Sequence, residues 1–177
     1  MALSKIQSES INLADNFAFT GTVSGVGGTN TPAFLANLSS AQAPGDGATT
    51  KIQLNNEIYD TANAYDNSSN YRFTPQTAGK YLFYASLEMQ SGTSGSHNIT
   101  ACYTYFYKNG GEYARFRHDP ASDEFATHCS GTITAIMNGS SDYMEVYTYL
   151  DTVGGETPYI TAGSSSKSFF GGHLIIE

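Results

Sequence analysis

Tyr65-Asp66-Asn67-Ser68-Ser69-Asn70-Tyr71-Arg72-Phe73-Thr74-Pro75-Gln76-Thr77-Ala78-Gly79-Lys80-Tyr81-Leu82-Phe83 is the stretch that decides how the rest of the chain is read. A polar loop bounded by Tyr65 and Tyr71 leads into a short strand that ends at Phe73. Pro75 and Gly79 then turn the chain into a second strand that opens Tyr81-Leu82-Phe83. Pro and Gly punctuate turns because one presets φ and the other tolerates conformations that side chains forbid. Two strands joined tightly, each with large aromatic residues, point to a β-sheet protein with an aromatic core.

Working outward, the same punctuation recurs. Turn signals fall at Pro44-Gly45-Asp46-Gly47, Gly92-Thr93-Ser94-Gly95, Asn109-Gly110-Gly111, Asn138-Gly139 and Gly154-Gly155. Between them strands are predicted near 33–38, 51–59, 70–74, 80–90, 99–108, 112–118, 129–137, 143–150 and 168–176. The piece Thr157-Pro158-Tyr159-Ile160-Thr161 adds a short edge strand, where Pro is tolerated. No segment keeps helical periodicity for three turns. The fold class expected is all-β, two packed sheets.

Side-chain alternation assigns faces, because successive residues of a strand point to opposite sides. Tyr81, Phe83, Ala85, Leu87 and Met89 form one apolar set, opposite Leu82, Tyr84, Ser86 and Glu88. Met144, Val146, Thr148 and Leu150 take the core side of their strand, leaving Tyr143, Glu145, Tyr147 and Tyr149 outside. Cys102, Thr104 and Phe106 are set against Tyr103, Tyr105 and Tyr107. Thirteen tyrosines in a chain without Trp is a heavy load, and six of them stand on the outer phase of two strands. Such rings either pack at a subunit interface or across strands, or they meet a ligand with an apolar surface and a hydroxyl rim.

Charge and composition exclude several functions. A formal charge of −8 with no basic cluster argues against nucleic acid, which requires clustered Lys and Arg. No window approaches the apolar length of a membrane span, so no membrane insertion is expected, and the first ten residues lack a secretory apolar run. The chain is expected to be soluble and made in a cytoplasm. Two cysteines, Cys102 and Cys129, do not make a disulfide framework; they stand either as buried thiols or as a facing pair. No nucleophile elbow, phosphate loop or zinc-helix motif is present, and no cofactor is expected. His118, Asp119, Asp123, Glu124 and His128 cluster in one predicted loop. They read either as a divalent-ion site or as an ordinary solvated loop, and the second reading is preferred, so no metal is expected. Hydrolysis through Asp119 and Glu124 ranks behind a non-enzymatic role.

Residues 1–31 differ from the remainder. Ile11, Leu13, Phe17, Phe19 and Val23 are spaced apolar residues in a polar background, too few for an independent core. They form either a tail or a collar covered by other chains.

The central stretch resembles the globular domain shared by complement component 1q and tumour necrosis factor, in which Phe-Thr-x-Pro-x-x-Gly-x-Tyr-x-Phe-like phrases join two strands. Lys108-Asn109-Gly110, Gly139-Ser140-Ser141-Asp142-Tyr143-Met144-Glu145-Val146 and the closing Ser168 to Ile176 segment follow in that family's order. The resemblance spans roughly Pro32 to Glu177 and implies a two-sheet, ten-stranded jelly-roll head, residues 32–177, that works as a homotrimer. It implies a trimer face that includes Leu82, Tyr84, Phe169 and Phe170, with Tyr103, Tyr105, Tyr107, Tyr147 and Tyr149 left on the outer sheet to contact a receptor or partner. The opening of the chain is similar to bacteriophage fibre proteins, which implies that residues 1–31 attach the head to other virion proteins or intertwine three chains. The expected function is therefore a virion-surface tail fibre or receptor-binding head that holds a host glycan or protein by multivalent adhesion. The alternative is a capsid decoration, knob or cement protein.

Overall fold

The computed structural model describes residues 30–92, 98–122, 124–154, 157–163 and 167–175. Twelve strands run through them: β1 (Ala33–Asn37), β2 (Ala48–Lys51), β3 (Asn56–Asp60), β4 (Tyr65–Asp66), β5 (Arg72–Phe73), β6 (Ala78–Gln90), β7 (Ile99–Lys108), β8 (Gly111–His118), β9 (Ala126–Asn138), β10 (Met144–Thr152), β11 (Tyr159–Ile160) and β12 (Phe169–Leu174). They make two antiparallel six-stranded sheets packed face to face. In the first, β6 pairs with β9 along one edge and with β12 and β11 along the other, followed by β1 and β3. In the second, β10 lies between β7 and the short strands β2 and β5; β8 and β4 close the two edges. This is the all-β jelly-roll sandwich expected from the sequence.

The decisive stretch builds the centre of the core. Tyr65, Phe73, Tyr81 and Phe83 are all buried. Phe34 stacks on Phe73 with ring centroids 4.2 Å apart and on Tyr65 at 5.1 Å, while Phe170 meets Phe34 edge-on at 4.8 Å. Because Phe34, Phe83 and Phe170 come from one sheet and Tyr65 and Phe73 from the other, this cluster is the contact that holds the two sheets together. The Tyr65 hydroxyl, buried with its ring, donates to the Leu54 carbonyl at 2.9 Å, so no polar atom is stranded there. In the loop between β4 and β5, the Asp66 carboxylate accepts hydrogen bonds from the backbone of Ser68, Ser69 and Asn70. Those bonds hold its pKa well below the ordinary value.

The assigned faces hold in all three long strands. Tyr81, Phe83, Leu87 and Met89 are fully buried, as are Cys102, Thr104, Phe106, Met144, Thr148 and Leu150. The two buried threonines are satisfied: Thr104 donates to the Cys129 carbonyl at 2.8 Å and Thr148 to the Tyr103 carbonyl at 2.9 Å.

Two expectations are corrected. The single strand at 51–59 is two strands in different sheets, β2 on β10 and β3 on β1. Between them Ile52 and Leu54 plug the end of the sandwich, and Gln42 pins the crossing through Lys51 O at 2.9 Å and Gln53 N at 2.8 Å. The alternation survives the crossing, so the pattern alone does not reveal the break. The second correction is β4, a two-residue strand that pairs with β5 where only a loop was expected.

Glycine acts where the hairpins tighten. Asn109 (φ 54°) and Gly110 (φ 80°) form the two-residue loop between Lys108 and Gly111, the left-handed pair that matches strand twist. At Gly139 (φ 71°) a Cβ would also stand 2.3 Å from the Ala78 backbone nitrogen, which has no room to move inside β6. Gly139→Ala should therefore cost on the order of 2–3 kcal/mol. Gly110→Ala, whose nearest neighbour is the Tyr143 hydroxyl at 3.4 Å, should cost about 1 kcal/mol. Urea denaturation of both variants checks the order; equal losses would mean that backbone conformation alone sets the cost.

Candidate functional site

The outward faces of the two sheets differ sharply. On the β10 sheet, register places Arg117, Tyr103, Tyr149 and Thr49 in one row across four strands. The next row is Arg115, Tyr105, Tyr147 and Lys51, and the third runs Glu112, Tyr107, Glu145 and Arg72. All five tyrosines expected on this face share it. Tyr103 stacks on Tyr149 at 5.0 Å and Tyr107 on Tyr147 at 4.2 Å, with interplanar angles of 17° and 25°. Tyr105 stands edge-on between Tyr103 and Tyr107, 6.0 Å from each.

This packing corrects part of the expectation. Tyr105 is only 5% exposed although it lies outside the main core, because its neighbours close over it. The stacked rings also turn their flat faces toward one another, so the surface shows ring edges and hydroxyls. Burial pushes the Tyr103, Tyr107 and Tyr149 phenols up, which keeps each a neutral hydrogen-bond donor at pH 7.

Sequence reasoning missed the cations. Two of the chain's three arginines, Arg115 and Arg117, and one lysine, Lys51, stand against these rings, and the third, Arg72, stands over Tyr143. The Arg117 guanidinium lies 5.2 Å from the Tyr103 centroid, Lys51 5.6 Å from Tyr147, and Arg72 4.1 Å from Tyr143. Carboxylates balance most of the charge: Arg117 pairs with Asp119, Lys51 with Glu145, and Arg115 more loosely with Glu112 at 3.7 Å. Burial works against the Lys51 ammonium, but the hydrogen bond and charge of Glu145 outweigh it and raise its pKa. The period-two spacing of Arg115 and Arg117 was the available signal; their tyrosine partners lie on another strand and needed the register.

The outer face of the β6 sheet is more apolar. One row crosses it as Tyr59, Leu35, Gly171, Tyr84 and Thr132. Gly171 is required here because the Tyr84 ring lies where a Cβ would be, 2.6 Å away. Burial, followed by a hydrogen bond with Tyr59, pushes the Tyr84 phenol up to about 12. Leu82, Tyr84 and Phe169 all face outward, with Tyr84 and Phe169 rings 6.3 Å apart, and a shallow concavity of about 540 Å³ lies between these rings and Phe116. Tyr59 and Ile136, at opposite edge strands, are 42% and 68% exposed. Phe170 does not belong to this face. It points inward, fully buried against Phe34, Phe83 and Phe106, as it must when its neighbour Phe169 points out.

The acidic loop separates into pairs. His118 Nε2 meets Glu124 at 3.1 Å, His128 Nε2 meets Glu88 at 3.4 Å, and Asp119 holds Arg117. Among the described residues no three metal-binding side chains converge; Asp123 lies outside them. Ile11, Leu13, Phe17, Phe19 and Val23 also lie outside the described residues. No helix among the described residues is long and apolar enough to cross a membrane.

No known family profile matches the chain. It is similar to the phage-like element PBSX protein XkdV of Bacillus subtilis strain 168, with 30% identity over 131 residues that cover 70% of this chain. The chain spans 18% of that protein's length. Among solved structures, murine APRIL at pH 5.0 superposes with a TM-score of 0.58 at 9% identity, covering 81% of this chain and 98% of that one. The Eiger TNF structure from S. frugiperda gives a TM-score of 0.55 at 10% identity, covering 82% and 91%. The structural likenesses show a tumour necrosis factor-like jelly-roll fold.

Tyr105→Ala should lower stability by about 2–3 kcal/mol, since it removes a buried ring with two aromatic neighbours. Tyr105→Phe, which loses only a hydroxyl beside Arg115, should cost under about 1 kcal/mol. Thermal unfolding of the two variants distinguishes a packed ring from an accessible one, which would leave stability unmoved in both.

Proposed function

We propose that this chain is a structural component of a phage or phage-like particle, a receptor-binding head that acts by adhesion and not by catalysis. Residues 32–177 form the head, and residues 1–31 attach it to other particle proteins through Ile11, Leu13, Phe17, Phe19 and Val23. Three heads associate through the outer face of the β6 sheet, and the tyrosine–arginine face of the β10 sheet meets a host-surface glycan or protein. The observation that carries this reading is the contrast between the two faces: one centred on Leu35, Leu82, Tyr84 and Phe169, the other a lattice of phenols and guanidinium groups. Apolar faces with exposed edge residues mark protein association, while Tyr and Arg dominate the energetics of recognition surfaces. The likeness to a phage-element protein supports the particle setting. Three copies presented together convert weak single contacts into firm attachment through effective concentration.

The trimer is tested by sedimentation at micromolar concentration, where the expected mass is three chains. Leu82→Asp places a charge on the association face without entering the core, and should yield folded monomer. A monomeric parent protein would remove both the trimer and the avidity argument.

The recognition face is tested with the paired variant Arg115→Ala, Arg117→Ala. Both side chains are largely exposed, so the variant should stay folded, with only the small loss of stability expected from uncovering Tyr105, while binding to host cells weakens by roughly tenfold. Unchanged cell binding, or binding to empty particles in place of cells, would move the protein to a decoration role.

A further inference from the structure

We propose that Cys102 and Cys129 are a latent cross-link between the two sheets, closed to a disulfide when the folded chain meets a peroxide. Cys102 lies on β7 in one sheet and Cys129 on β9 in the other, and both are buried, free and directed into the sandwich. Each thiol is the largest single influence on the other's proton affinity, raising it at Cys102 and lowering it at Cys129, as facing core side chains do. Two fixed backbone contacts hold them there. Thr104, two residues beyond Cys102, donates to the Cys129 carbonyl at 2.8 Å, and the Cys129 thiol donates to the Phe116 carbonyl at 3.2 Å.

The position is mechanically meaningful. β8 ends one sheet and β9 ends the other, and no ladder joins them among the described residues. Their seam is closed instead by Phe116, whose ring occupies the space a Cβ on Gly131 would need. A covalent bond between β7 and β9 would lock that seam, which side-chain packing and side-chain-to-backbone hydrogen bonds such as Tyr113 to the Thr134 carbonyl now close.

The chemistry balances with a hydroperoxide as oxidant. The neighbouring Cys102 thiol lowers the Cys129 pKa, against the cost of burial, which makes Cys129 the attacking sulfur. Its thiolate attacks the peroxide O–O bond, the sulfur is oxidised to a sulfenic acid, and the leaving oxygen departs as water (or an alcohol) after taking a proton. The Cys102 sulfur then attacks the sulfenic sulfur; an S–S bond forms, the S–O bond breaks, and hydroxide leaves with the Cys102 proton as water. A small oxidant is required, since neither sulfur is open to a bulky disulfide. Such a lock fits a particle protein assembled under reducing conditions and used in oxidising ones. That benefit rests on the proposed function, but the cross-link itself does not.

The test uses the full chain, reduced, freed of reductant and exposed to hydrogen peroxide under native conditions. After denaturation and alkylation, both thiols should be protected and the unalkylated mass should fall by two hydrogens. A proteolytic fragment should join Cys102 to Cys129 within one chain. Closing the roughly 27-residue loop between them should raise the melting temperature by roughly 5–10 °C, reversed by dithiothreitol. Cys102→Ser should instead accumulate oxygen on Cys129 and gain no stability. Two thiols still open to alkylation, a disulfide between chains, or a melting temperature that falls on oxidation would each overturn the proposal. Loss of cell binding with the cross-link intact would count against the adhesion reading alone.

Discussion

Everything in this molecule depends on the aromatic contact between the sheets at Phe34, Phe73 and Phe170. Phe73 sits on a strand of two residues, too short to persist by its own ladder bonds, and Phe34 on one of five. Neither piece has a reason to stay in register without the ring of the other. Phe34 stacks on Phe73, Phe170 meets Phe34 edge-on, and Phe73 meets Phe83 and Tyr81 at 6.1 Å and 5.9 Å. Offset stacks and edge-on contacts use the ring quadrupole as well as burying area, so each pair adds about 0.5–1.5 kcal/mol beyond burial. The cluster therefore fixes both sheet separation and the register of the short strands that feed it.

Once the inner face is fixed, strand alternation leaves no choice about the outer ones. Every inward side chain in β6, β7 and β10 commits its neighbours to the surface. The two outer faces were filled differently. On the β6 sheet, Gly171 removes a side chain so that Tyr84 can lie flat across β12, which makes a low, partly apolar platform. On the β10 sheet the rings stand upright in stacked pairs with cations against them. A flat platform favours close approach of another protein surface, whereas an upright comb presents directional donors. The two faces thus differ in ring posture as well as in composition.

Much of this was legible in the residues. The long strands at 80–90, 99–108 and 143–150 show clean alternation, and their faces follow from it because one face is fully buried. The Asn109-Gly110 hairpin follows from the left-handed conformations that only a few residues accept. What escaped has a common cause. Phe170 was grouped with Phe169, yet adjacent residues in a strand cannot share a face, so the pattern itself contained the answer. Tyr105 was read as accessible because alternation gives direction and not cover; its burial comes from Tyr103 and Tyr107 on its own strand and Arg115 on the next. The break between β2 and β3 escaped because Ile52 and Leu54 keep the period of a strand while the chain changes sheets. Partnership across strands is set by register, which a single sequence does not print.

Under the proposed adhesion, register also explains how an acidic protein would present a recognition surface without repelling its target. The chain carries 16 acidic against eight basic side chains, a formal charge of −8. Four of the eight cations, Lys51, Arg72, Arg115 and Arg117, nevertheless gather on the tyrosine face. Their acidic partners Glu112, Asp119 and Glu145 bring that patch close to neutral, so the excess negative charge lies elsewhere on the molecule. Near a negatively charged surface the long-range repulsion is then weakest when this face leads, and the summed field orients the approach. Screening over about 8–10 Å at ordinary salt confines that steering to the last stage of encounter. At contact the guanidinium groups, held against phenol rings, lose less freedom on binding than lysines on an open surface would. In the proposed adhesion, cations braced by aromatic rings would thus serve two ends at once, relieving repulsion at a distance and supplying directional hydrogen bonds at contact.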